Sequence, residues 1–159
     1  MCDHCGCREF GPIAELTADH ESILEMAWLV SEAADRTDPD RLATRDRLLV
    51  LLDEHVVKEE TGLYPQLMAT GDLSTDTNDR LEEEHRVVRV ALVDGTFDRR
   101  DYFALAAHIE EEEMELFSGA MFAFDDEEWD EMDAAHHAAC HHHPDHDHHH
   151  RDAAPAPTH

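Results

Sequence analysis

The chain has 159 residues, 39 acidic side chains against 12 basic ones, and a formal charge of −27. That length suits one domain with its own core and is short for two, and that charge excludes nucleic acid and anionic membranes as partners, since both are held by Lys and Arg. No run of about 18 apolar residues occurs, and Met1 is followed by Cys, Asp and His instead of a basic, apolar leader. The expectation is a cytoplasmic protein with neither membrane span nor secretory signal.

Residues 1–12 form a polar, cysteine-rich arm. A first helix is expected from about Ile13 to Asp35, with Ile13, Leu16, His20, Ile23 or Leu24, and Ala27 on one stripe at 3.6 spacing. Thr37-Asp38-Pro39-Asp40 supplies a turn and a cap, with Pro39 at the first helical position. A second helix then runs from about Arg41 through Thr61 with Leu48, Leu52, His55 and Glu59 inward; Gly62 weakens its end, and Leu63-Tyr64-Pro65 breaks or kinks it before the Thr70-Gly71 stop. A third starts after Ser74-Thr75-Asp76 and ends at Asp94-Gly95, its inner face reading Leu81, His85, Val88 and Leu92. A fourth spans about Asp98 to Phe124, with Ala104, Leu105, His108, Glu112 and Leu116 inward. Trp28, Phe103 and Phe117 read as core.

Nothing alternates with period two over any length, so residues 13–124 predict an all-α, up-down-up-down four-helix bundle. From Glu110 to Asp133 there are twelve acidic residues and no basic one, a solvated face. A short acidic helix over 125–135, around Trp129 and Met132, closes one end. From 136 to 159 the composition is His, Asp, Ala and Pro, a low-complexity tail expected to be disordered.

Ten of the 15 histidines lie in that tail. His4 belongs to the arm, and the remaining four, His20, His55, His85 and His108, fall one to each predicted helix. A lone histidine on an apolar stripe is more often a satisfied core residue than a ligand. Here two glutamates at i+4, Glu59 after His55 and Glu112 after His108, share the buried faces, and i and i+4 side chains point the same way. Buried carboxylates need partners, and no Lys or Arg shares those stripes unless Arg89 turns inward. Four imidazoles and two carboxylates suit two borderline metal ions held close together inside a bundle. Tyr64, just beyond Glu59, is placed either to donate a hydrogen bond or an electron near the centre or to plug the core ahead of Pro65.

The segments Asp19-His20-Glu21-Ser22-Ile23, His55-Val56-Val57-Lys58-Glu59 through Pro65, Glu83-Glu84-His85 and His108-Ile109-Glu110-Glu111-Glu112 carry an ordered H, HxxxE, H, HxxxE pattern. On these residues the chain resembles the hemerythrin-like, HHE cation-binding domain family over roughly residues 13–124. The resemblance implies a non-haem centre of two Fe ions with an oxo or hydroxo bridge, held by His20, His55, Glu59, His85, His108 and Glu112, both glutamates bridging. Oxygen-carrying hemerythrins have a second histidine one turn after the third-helix ligand, where this chain has Arg89, and an aspartate five residues after the last histidine, where it has Glu113. These departures weaken a pure oxygen-transport role. The pattern also looks like that of the family proposed to repair iron–sulfur centres under nitrosative stress.

The functional expectation is therefore binding of, or reaction with, a small diatomic or peroxide ligand, dioxygen, nitric oxide or peroxide, in oxidative or nitrosative stress. It leaves open whether the protein is an enzyme with peroxidase-like, catalase-like or nitric-oxide-reactive activity. The alternative is iron storage, delivery or metal buffering. In that reading the two ends bind further metal: Cys2, His4, Cys5 and Cys7 as a soft-metal or redox cluster, and Cys140, His141, His142 and His143 with the later tail histidines as ligands for Zn, Ni or Cu.

Overall fold

The computed structural model describes residues 11–33 and 35–140. The arm with Cys2, His4, Cys5 and Cys7, the tail from His141, His142 and His143 onward, and the side chain of Cys140 lie outside the described residues. Within them the chain is all-helical: α1 (Gly11–Glu32), α2 (Pro39–Lys58), a π turn (Glu59–Leu63), α3 (Tyr64–Thr70), α4 (Thr75–Val93), α5 (Arg99–Glu111), a second π turn (Glu112–Leu116), α6 (Phe117–Ala123) and α7 (Asp126–Cys140). Among these helices none is long and apolar enough to cross a membrane.

The starts and stops follow from local chemistry. Asp38 accepts from the Asp40 and Arg41 amides at 2.9 and 3.0 Å with Pro39 at the first helical turn of α2. Ser74 accepts from the Thr77 amide ahead of α4, and Asp98 and Asp101 cap α5 reciprocally. Gly71 ends α3 at φ +87°, the left-handed region where a side chain is disfavoured.

The disturbance expected at Gly62 to Pro65 takes the form of a widened turn. The second helix passes into the first π turn and continues through α3 to the Thr70-Gly71 stop. Pro65 has no N–H for the Thr61 carbonyl, and its ring would clash with that carbonyl in α geometry; a turn wider by one residue, closed by the Tyr64 amide on the Glu59 carbonyl, relieves both. The second π turn contains no proline. What the two share is a buried glutamate, Glu59 or Glu112, at the first position. The last helix, expected over 125–135, runs to Cys140, and His136 and Ala139 are buried. A Cβ on Gly62 would come within 3.1 Å of Ala135 Cβ, so the absent side chain lets α7 lie close on the first π turn.

Helix α1 packs on α2 and α5, and α4 packs on the same two, which closes a ring; α7 lies over α2, the first π turn and α1. Apolar side chains gather in two clusters. One holds Ile13, Leu16, Leu63, Leu67, Phe117 and Met132; the other holds Ile23, Leu48, Leu52, Leu92, Phe97 and Leu105. Each such leucine contributes about 1.5–3 kcal/mol by leaving water. In sequence the histidines sit between members of the two clusters, His20 between Leu16 and Ile23 and His55 between Leu52 and Leu63. The fold therefore brackets a polar layer between two apolar ones. Of the three aromatics read as core, only Phe117 is buried; Trp28 is 39% and Phe103 62% exposed.

Candidate metal centre

Helices α1, α2, α4 and α5 each turn one histidine into the polar layer, and the π turns add Glu59 and Glu112, neither with any exposed surface. The donors fall into two groups, His20, His55, Glu59 and Glu112 in one and His85, His108 and Glu112 in the other, each with its ligand atoms within 4.8 Å of one another. Glu59 Oε1 is 3.2 Å from His55 Nε2 and 3.6 Å from His20 Nε2, while its Oε2 is 3.4 Å from His85 Nε2. Glu112 mirrors it: Oε1 lies 3.1 Å from His108 Nε2 and 3.9 Å from His85 Nε2, and Oε2 lies 3.3 Å from His20 Nε2. Each carboxylate thus offers one oxygen to each histidine pair.

The donor set fits metal ions, and the strongest sign is what lacks a partner. Both Glu59 oxygens, Glu112 Oε2 and His20 Nε2 are buried without a hydrogen bond, a costly arrangement for charged groups unless a cation meets them. No lysine or arginine forms an ion pair with either glutamate among the described residues; Arg89 turns outward to Asp53 at 2.7 Å, and Lys58 pairs with Asp19 and Glu15. His85 Nε2 and His108 Nε2 stand 2.9 Å apart. With their Nδ1–H groups directed outward, two lone pairs face each other there, which requires a shared proton or a cation. Metal–nitrogen and metal–oxygen bonds of about 2.0–2.2 Å put two ligands of one ion at most about 4.4 Å apart, which these groups meet with little movement.

Every imidazole has a carboxylate at its other nitrogen. His20 Nδ1 faces Glu113 at 3.3 Å, His55 Nδ1 faces Asp19 at 3.5 Å, His85 Nδ1 faces Glu60 at 3.0 Å and His108 Nδ1 faces Glu84 at 2.7 Å. Asp19 stands too far from His55 Nδ1 for a hydrogen bond, while Glu113, Glu60 and Glu84 fix the tautomers of His20, His85 and His108, leaving Nε2 to ligate and making it a stronger donor. The four acids together form a cycle. An acid from α1 serves the histidine of α2, one from the first π turn serves α4, one from α4 serves α5, and one from the second π turn serves α1. Each acid is the sequence neighbour of an inner residue, about 100° round the helix and so toward the adjacent one.

Burial pushes the Glu59 carboxyl up, but His55, His20 and His85 outweigh it and hold it well below the usual carboxylate range. Burial and the Glu59 charge likewise push Glu112 up, and His108 and His20 bring it down to about 2. Burial lowers His85, and Glu59 and Glu60 overcome it, raising it to about 10. Tyr64 is fully buried and donates its hydroxyl to Glu112 Oε1 at 2.5 Å. Burial, Glu59 and Glu112 raise that phenol well above its ordinary value, so it keeps its proton.

Sequence reasoning did not assign the outer carboxylates or the cluster behind His55. There the Lys58 ammonium lies between Asp19, at 2.8 Å, and Glu15, and Glu15 also meets His136 of α7 at 3.0 Å. The acidic doublets Glu59-Glu60, Glu83-Glu84 and Glu112-Glu113 were the available signal. Compared with protein-family models, curated proteins and solved structures, the chain matches none.

Proposed function

We propose that the chain is a hemerythrin-like non-haem di-iron protein. In this reading it is an up-down-up-down four-helix bundle in the cytoplasm, with His20, His55, Glu59, His85, His108 and Glu112 holding two irons, and it binds or reacts with dioxygen, nitric oxide or peroxide under oxidative or nitrosative stress. One observation carries the reading: two fully buried carboxylates, unbalanced by lysine or arginine, each present one oxygen to each of two histidine pairs. Paired carboxylates and imidazoles inside helix bundles suit di-iron sites. Two irons at such a site supply electrons and open coordination positions for a small ligand.

The chain's own residues do the rest. The four outer acids orient the imidazoles, the two apolar clusters exclude water above and below, and Tyr64 holds a proton on its hydroxyl against Glu112 Oε1. Ready storage or delivery of iron is less favoured, because all six donors are buried and an exchanging ion would need the bundle to open.

The test is iron content and absorption spectrum of the full chain beside Glu59→Ala. Expected is about two irons per chain more in the wild type than in the variant, with near-ultraviolet bands that change on adding nitric oxide. Equal iron in both proteins, or bands indifferent to nitric oxide, dioxygen and peroxide, contradicts the proposal.

A further inference from the structure

The two histidine pairs are enclosed unequally. Behind His20 and His55, the supporting acids Glu113 and Asp19 are 15% and 16% exposed, whereas behind His85 and His108 the acids Glu60 and Glu84 are 31% and 38% exposed. Each pair has one ring stacked on it, Phe117 on His20 with centroids 5.3 Å apart and Tyr64 on His85 at 6.2 Å, but Lys58 with its two carboxylates closes the space behind His55 alone. Two clefts reach the other pair. One, about 410 Å³ between α2 and α4, touches His85 alone and is lined by Asp53, Asp79, Glu82, Arg86 and Arg89 among others. The second, about 270 Å³ between α4 and α5, has both His85 and His108 in its wall, together with Leu52, Val87, Val88, Ala104, Leu105 and Ala107. Neither is lined by His20 or His55.

From this we infer that the exogenous ligand is a small uncharged diatomic gas, and that it reaches the centre on the His85/His108 side through the apolar cleft between α4 and α5. The inference rests on the di-iron reading for its chemistry and on the cleft for its route. Three features select the ligand class. The wall offers an apolar gas contacts that it would not find in water, while a peroxide would leave its hydrogen bonds behind. The polar residues of the cleft besides the histidines are Glu83, Glu84 and Glu111, three carboxylates tied to only two arginines, Arg86 and Arg80. Together with the chain's charge of −27 they repel anions such as nitrite or superoxide. Finally, Arg89 pairs with Asp53 and lines the charged cleft instead, so no lysine or arginine stands in the wall of the α4–α5 cleft to hold an anion.

Ala104 is exposed on α5, one turn before His108 and in the cleft wall, so Ala104→Trp fills the passage from a position the fold tolerates. Two measurements on the full chain test the inference. The first needs no iron: relaxation of methyl resonances by dissolved dioxygen in metal-free or zinc-loaded protein. Expected is stronger relaxation at the Leu105 and Val88 methyls, 3% and 7% exposed, than at Leu116, 7% exposed but outside the cleft wall, and its loss in Ala104→Trp. Relaxation at Leu105 and Val88 no greater than at Leu116 overturns the route.

The second is the association rate of nitric oxide with iron-loaded protein. Expected is slowing by about tenfold or more in Ala104→Trp, as when binding waits on a rearrangement, with iron content unchanged, and no slowing in Arg86→Trp, which blocks the charged cleft. An unchanged rate in Ala104→Trp, or slowing by Arg86→Trp alone, overturns the proposal. A chain that takes up no iron overturns the di-iron reading instead, and the dioxygen measurement still decides the cleft.

Discussion

The His20/His55 half and the His85/His108 half of the centre contain similar chemistry, two imidazoles facing glutamate oxygens, but the fold surrounds them differently. The first half is backed by a buried ammonium wedged between two acids and by an aromatic ring. The second also has a ring, Tyr64, stacked on His85, but it is backed by acids that reach solvent, Glu60 and Glu84, the latter paired with the surface Arg80. Similar donors therefore need not give two equivalent sites. What distinguishes them is written in the packing one layer out, where one side is more deeply enclosed and the other left approachable.

The largest blow to this contrast comes from removing the ammonium. Lys58→Met leaves Asp19 and Glu15 without their cation, and breaking such a pair costs about 3 kcal/mol, the low end for buried pairs because Glu15 still reaches water. Urea unfolding of the full chain should show that loss, while Arg86→Ala, which breaks an exposed pair with Glu83 on the other half, should cost under about 1 kcal/mol. Equal losses would erase the distinction between a sealed and an open side.

A finer comparison uses the acids behind the imidazoles. Asp19→Asn and Glu84→Gln should each weaken metal binding by about 10- to 100-fold in competition with a chelator, the usual effect of losing a partner behind a ligand. Only Asp19→Asn should also lower stability toward urea, since it alone takes a charge from Lys58. If Glu84→Gln destabilises as much, the second half is as integral to the fold as the first.

The smallest effect is in acid. Burial pushes the Glu15 carboxyl up, but Lys58 and His136 outweigh it and hold it below its ordinary value. A lowered carboxylate contributes stability that is present above its ordinary pKa near 4.5 and lost as pH falls through the folded value. Melting temperatures between about pH 5 and 3 should fall less in Glu15→Gln than in the wild type, most visibly where α7 meets α1. Identical acid profiles would mean that His136 and Glu15 do not hold α7 in place.

Much of this centre was legible because two spacings coincide. The i, i+4 rule that puts an apolar stripe on one side of a helix also puts Glu59 beside His55 and Glu112 beside His108, so six inner residues emerge from periodicity alone. The partners behind them did not, since Asp19, Glu60, Glu84 and Glu113 lie off the inner stripe, and only the packing of neighbouring helices shows which histidine each one meets. The run of α7 past residue 135 was hidden for another reason. His136 has a polar side chain in a histidine-rich context, and its burial depends on Glu15, some 121 residues away. The π turns were half visible: Pro65 announced a disturbance, but the sequence does not distinguish a widened turn from a break, and nothing local marks the second.

The cyclic arrangement of acids and histidines has a mechanical meaning. In a stack, an outer member can peel away while the others persist. In a closed cycle there is no outer member, because every helix that gives an acid to one neighbour has its own histidine held by the other. Rotating or lifting α4, for instance, breaks its contact with Glu60 and its contact with His108 together. The four helices should thus share one transition, and partial opening at a single helix should be as rare as unfolding of the whole. Such an assembly behaves like a keystone arch, with its strength spread evenly around the circle and no first stone to remove.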